Sequence, residues 1–98
     1  MQLNITGNHI EVNPQLRSFL KRKLGKIERH HDRITSVHVV LSIDKITHRA
    51  EATVHALGNE IYADASATDM QTAIDSLVAK LDRQIIKHKE KLTSHRST

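Results

Sequence analysis

ITSVHVVLSIDKITHRAEATVHALGNEIYADASA, residues 34–67, is the stretch on which the fold turns. It alternates apolar and polar residues three times over, with a turn signal after each of the first two runs, and so predicts three consecutive strands. In 34–43, Val37, Val39, Leu41 and Ile43 share one face, opposite Ser36, His38 and Ser42. In 48–57 the inward set is Ala50, Ala52, Val54 and Ala56; in 60–67 it is Ile61, Ala63, Ala65 and Ala67. A loop over 44–47 closes the first hairpin and sets Ile43 opposite His48 and Leu41 opposite Ala50. A two-residue loop at Gly58-Asn59 closes the second, which sets Leu57 opposite Glu60 and Ala56 opposite Ile61. The row of alanines predicts a helix lying close against this sheet.

Outward from this meander, Gln2 to Thr6 alternates as a short strand. Asn13-Pro14 then offers a helix cap followed by proline at the first helical position. Leu16, Leu20, Leu24 and Ile27 recur at helical spacing behind it, predicting an amphipathic helix over 14–30. After the meander, Asp69 caps a helix whose stripe is Met70, Ile74, Leu77, Val78, Leu81, Ile85, His88 and Leu92. The order is β-α-β-β-β-α. A right-handed crossover makes the first strand parallel to the second, and both helices must cover the one apolar face. The expected fold is therefore α+β, a two-layer sandwich with a four-stranded mixed sheet, both helices on one face and the other face in water. One domain is expected over 1–93, with 94–98 a loose tail.

Composition excludes several function classes. At 38% apolar and 27% charged, the 98 residues suit a globular domain. The start shows no secretory pattern, and no run approaches a membrane span. The absence of cysteine removes disulfides, thiolate metal sites and thiol nucleophiles, and fits a cytoplasmic protein. No glycine-rich phosphate loop, nucleophile elbow or zinc-protease motif is present, so no enzyme and no cofactor is expected. His30 and His31 are helix neighbours that do not face each other. His38 and His55 fall diagonally on the outer sheet face, with Asp64 one strand further out, and no resident metal is expected there. On the apolar stripe, His88 reads as a packed, hydrogen-bonded residue. Asp75 reads as a favourable charge in the first turn of its helix.

The net charge is +4, but it is segregated. Residues 17–33 carry a balance of +5 and 80–96 one of +4, whereas 44–79 carry −4. At about 100° per residue, Arg22, Lys26 and Arg29 share a face of the first helix, with Lys23 at the edge of the core stripe. In the last helix Lys80, Gln84, Lys87 and Lys91 lie on one flank with Arg83 beside them, while Asp75 and Asp82 lie on the other. Two cationic stripes in one layer suit a polyanion, and together they can form one patch running over both helices and the groove between them. Six to eight phosphate contacts would give a log–log salt slope on the order of −4 to −7. His30, His31 and His95 flank this surface and could add charge at mildly acidic pH. With one aromatic, Tyr62, on the open sheet face, base stacking is not expected to be the main device there. Shape recognition of folded RNA fits better.

Several segments together resemble the bacterial ribosome hibernation promoting factors: MQLNITG at 1–7, Asp32-Arg33-Ile34, Val39-Val40-Leu41, Thr47-His48, Ala73-Ile74-Asp75, Lys80-Leu81, Arg83-Gln84 and Lys87-His88-Lys89. The resemblance spans the chain and matches the family's short form. It implies a monomeric protein that binds the small ribosomal subunit in stationary phase, in the channel for tRNA and mRNA. It also implies inhibition of translation and pairing of idle ribosomes alongside a modulation factor. Carried over by position, the residues facing ribosomal RNA are Arg22, Lys26, Arg29, Lys80, Arg83, Lys87, Lys89 and Lys91, of which Lys89 rests on the resemblance alone; Lys23, at the edge of the stripe, completes the candidate set. Gln71, and His30 and His31, stand where the family often has aromatics. Members have also been labelled modulators of an alternative sigma factor, and a general structured-RNA binder is the other alternative reading.

Overall fold

The computed structural model describes residues 1–94 apart from Asp32 and Leu57, with backbone alone for residues 91–94. The elements run β1 (Gln2–Asn8), α1 (Pro14–His30), β2 (Ile34–Asp44), β3 (Thr47–Ala56), β4 (Asn59–Ala67) and α2 (Met70–Ser94). The sheet order is β1-β2-β3-β4, with β1 parallel to β2 and the other pairs antiparallel. This is the expected β-α-β-β-β-α sandwich with a mixed sheet. Of the tail expected at 94–98, Ser94 still belongs to the last helix, while residues 95–98 lie outside the described residues, as do the side chains of Lys91 and Leu92.

Local chemistry starts each helix where the caps predict. The Asn13 side chain accepts a hydrogen bond from the Leu16 amide at 2.8 Å, with Pro14 in the first turn. Asp69 accepts from the Thr72 amide and hydroxyl, each at 2.8 Å. The Asp69 carboxyl is thereby held below its ordinary range, chiefly by the Thr72 amide. Asp75 is not in the first turn, which contains no acid; one turn further on, it has a different partner. Gly7 is required by a close approach, because a Cβ there would collide with the Ile10 carbonyl as the chain leaves β1.

The core joins Leu20, Leu24 and Ile27 of α1 to Ile74, Leu77, Leu81 and Ile85 of α2 over Val37, Val39 and Leu41 of β2. Beneath α2, Ala50 pairs with Ala65 and Ala52 with Ala63, and these small side chains let the helix settle close to β3 and β4. His88 is half-buried, but its Nε2 is enclosed without a hydrogen-bond partner among the described residues, contrary to the bonded role expected of it.

The first hairpin has the expected register, with Ile43 opposite His48 and Leu41 opposite Ala50. The second is displaced by two residues. Asn59 begins β4 opposite Ala56, and Ile61 faces Val54 rather than Ala56. Glu60 faces His55; its expected partner Leu57 lies outside the described residues. Gly58 takes the positive φ of 74° in the second loop position, which a side chain would resist. The slip leaves every side chain on its expected face, because a strand repeats every two residues.

Candidate nucleic-acid interface

On α1, Leu20, Leu24 and Ile27 must face the sheet, which turns Arg22, Lys26 and Arg29 out to solvent. The Arg22 guanidinium lies 5.4 Å from the centre of the Phe19 ring, a cation–π contact that steadies an otherwise long side chain. On α2, Lys80, Arg83, Gln84 and Lys87 line one shallow surface depression. Lys80 reaches the backbone carbonyl of Asp64 at 2.8 Å, so this flank overhangs β4. Among the described residues, Lys26, Arg29, Arg83 and Lys87 enter no ion pair. Their charge is not already neutralised within the protein, as phosphate contacts require.

Lys23 and Lys89 are placed differently. Lys23 Nζ lies 3.0 Å from Asp75 and 5.4 Å from the Phe19 ring centre, with its side chain only 24% exposed. It ties α1 to α2. Lys89 is half-buried, with Nζ 3.4 Å from Nδ1 of His31. That agrees with its position on the helix wheel, on the flank opposite Lys87. His31 itself is buried, and its Nε2 stands 2.6 Å from Asp82. It therefore does not flank the basic face as expected; it closes the end of α1 onto α2. His30 stays exposed beside the interhelical groove. The side chain of Lys91, and all of His95, lie outside the described residues.

The two cationic stripes do not merge across the groove. That groove is lined by Lys23, Lys26 and His30 from α1, but by Asp75 and Asp82 from α2. The acids sit on the wheel flank where periodicity puts them. What sequence reasoning missed is that this flank is the one turned toward α1, leaving Lys80, Arg83 and Lys87 on the flank that faces away.

The outer sheet face pairs its own charges. Arg49 lies 2.6 Å from Asp64 and 3.1 Å from Glu51, and the Tyr62 hydroxyl donates to Glu51 at 2.8 Å. The hydrogen bond from Arg49 holds the Asp64 carboxyl below its ordinary range, and the bond to Glu51 raises the Tyr62 phenol. Arg49 thus compensates two carboxylates that face each other across the β3–β4 pair. Because of the two-residue slip, Asp64 lies beside Glu51 and Arg49, away from the His38–His55 diagonal. Among the described residues no three potential ligands group as a metal would need.

Comparison with known proteins agrees with this architecture. Residues 3–93 match the family described as Sigma 54 modulation protein / S30EA ribosomal protein. The chain belongs to this family. S30EA relatives include the ribosome hibernation promoting factor of Escherichia coli, 52% identical over 95 residues that cover 97% of this chain and all of that protein. That of Azotobacter vinelandii is 50% identical over 91 residues, covering 93% of this chain and 85% of the relative. Among solved structures, a ribosomal subunit interface protein from Coxiella burnetii superposes with a TM-score of 0.87 at 32% identity, covering 92% of this chain and 99% of that one. The N-terminal domain of Thermus thermophilus Protein Y gives 0.83 at 27% identity, covering 90% and 99%. The family reached through the residues is the family found by comparison. No helix among the described residues is long and apolar enough to cross a membrane.

Proposed function

We propose that this protein is a cytoplasmic ribosome hibernation factor. It binds the small ribosomal subunit through the cations of α1 and α2, contacts ribosomal RNA in the tRNA and mRNA channel, and blocks translation. In stationary phase it favours inactive ribosome pairs, acting as a monomer alongside a modulation factor. The role is stoichiometric and non-enzymatic. One observation carries the reading: a relative named for ribosome hibernation is 52% identical along its whole length. Lys26, Arg29, Arg83 and Lys87 are exposed and enter no ion pair among the described residues, which supports the choice of face, since a phosphate can replace water there without breaking such a pair.

Co-sedimentation with purified small subunits, in excess duplex RNA competitor, tests it. The wild-type chain should pellet; a folded variant carrying Arg22→Glu, Lys26→Glu, Arg83→Glu and Lys87→Glu should stay in the supernatant. A variant that still pellets would show that the helices are the wrong face. A wild type stripped off by competitor would make this a general RNA binder.

A further inference from the structure

The groove between the helices sets two carboxylates between the cationic stripes of α1 and α2. Its α2 wall carries Asp75 and Asp82, seven residues and two turns apart on the same flank. Asp75 is 53% exposed and holds Lys23 at 3.0 Å, so one of the groove's two lysines is already engaged by a carboxylate. Asp82 is bound to His31 at 2.6 Å and is 36% exposed. On the far flank of α2, Arg83 and Lys87 line the same depression as Lys80, which reaches β4 at the Asp64 carbonyl, and on α1, Arg22 and Arg29 are exposed. Packed helices lie about 8–10 Å apart. A phosphate crossing from one stripe to the other must therefore pass within about one Debye length of these carboxylates, roughly 8 Å at physiological salt.

We propose that Asp75, with Asp82, divides the cationic layer into two separate phosphate tracks, so that the protein accepts a folded RNA presenting two backbone segments on either side of the groove and rejects a single duplex laid across it. This rests on the RNA-binding reading above and adds the repulsive element that reading lacks. Cations alone attract any polyanion, and discrimination among RNAs follows when the wrong shape meets a charge of its own sign. Lys23 belongs to the same device. While Asp75 holds it, Lys23 braces the helices and is withheld from RNA.

The test compares the full-length chain with Asp75→Asn and Asp75→Ala, the latter being the better helix former. Glu60→Gln, on the outer sheet face, is a charge-matched control. Thermal melts establish that each is folded. Affinity for a generic perfect RNA duplex and for small subunits is measured over a range of salt. Both Asp75 variants should bind the duplex roughly threefold to tenfold more tightly, with a salt slope steeper by about one as Lys23 is released. Their affinity for the subunit should change less, so the preference for the subunit falls; Glu60→Gln should leave that preference intact. Unchanged duplex binding by the Asp75 variants, or an equal gain with Glu60→Gln, overturns the two-track division while leaving subunit binding standing. A wild type that ignores the subunit overturns the proposed function, and this inference with it.

Discussion

Lys23 Nζ lies 3.0 Å from Asp75 Oδ1, and this pair spans the groove between α1 and α2. A lysine that reads from the sequence as part of a nucleic-acid surface is thus engaged inside the protein. Both partners remain partly in water, so the pair contributes no more than about 1 kcal/mol to stability.

Lys23→Ala should therefore weaken small-subunit binding less than Lys26→Ala does, since Lys26 is exposed and pairs with no acid among the described residues. Quantitative sedimentation of the two variants decides it. Equal losses would mean that Lys23 leaves Asp75 on binding.

Salt dependence reports how many cations act. The exposed set is Arg22, Lys26, Arg29, Lys80, Arg83 and Lys87. Six phosphate contacts predict a log–log slope of about −4 to −5. Arg83→Gln should reduce its magnitude by about one without altering the melting temperature, because Arg83 forms no ion pair among the described residues. A slope near zero would exclude an electrostatic interface.

The close seat of α2 depends on small residues beneath it. Ala52, 1% exposed between Val39 and Ala63, has no room for a larger side chain. Ala52→Leu should cost roughly 1–3 kcal/mol by overpacking. The opposite change, Leu77→Ala on the fully buried face of α2, should cost about 2–5 kcal/mol through the cavity it leaves. Urea unfolding of both variants measures this; a neutral Ala52→Leu would mean that α2 can lift from the sheet.

Acid stability follows from Asp64 and Asp69, whose carboxyls are lowered by hydrogen bonds from Arg49 and from Thr72 respectively. A carboxyl that holds its proton less tightly folded than unfolded favours folding while ionised. That contribution is complete above the ordinary carboxylate value of about 4 and is lost as pH falls through the lower folded values. Melting temperature should drop on acidification below about pH 4, and Asp64→Asn should flatten part of the drop. Asp64 is 45% exposed, so its share is that of a surface pair, under about 1 kcal/mol. A profile indifferent to Asp64→Asn would show that the Arg49 contact does not persist in solution.

Much of the molecule was legible in its residues. Alternation in 34–67 established the three-strand meander and which side chains face the helices, and Asn13-Pro14 and Asp69 marked both helix starts. The cationic stripes of α1 and α2 followed from helical spacing alone. Period two, however, cannot distinguish registers that differ by two residues. Both place the same side chains on the same face, so the Ala56–Asn59 and Val54–Ile61 pairings were settled by Gly58's positive φ and by how the two strands pack.

The same kind of degeneracy governs the candidate interface. A helical wheel determines the angle of a side chain about its own axis, so the sequence by itself separates Asp75 and Asp82 from Lys80, Arg83 and Lys87 on α2. It carries no information about which neighbour each flank meets. Only the tertiary packing turned the acids toward α1 and Lys80 over β4, buried His31 against Asp82, and drew Lys23 to Asp75. The physical reason is that side-chain periodicity is local, whereas the side-by-side placement of two helices is decided by the sheet they share.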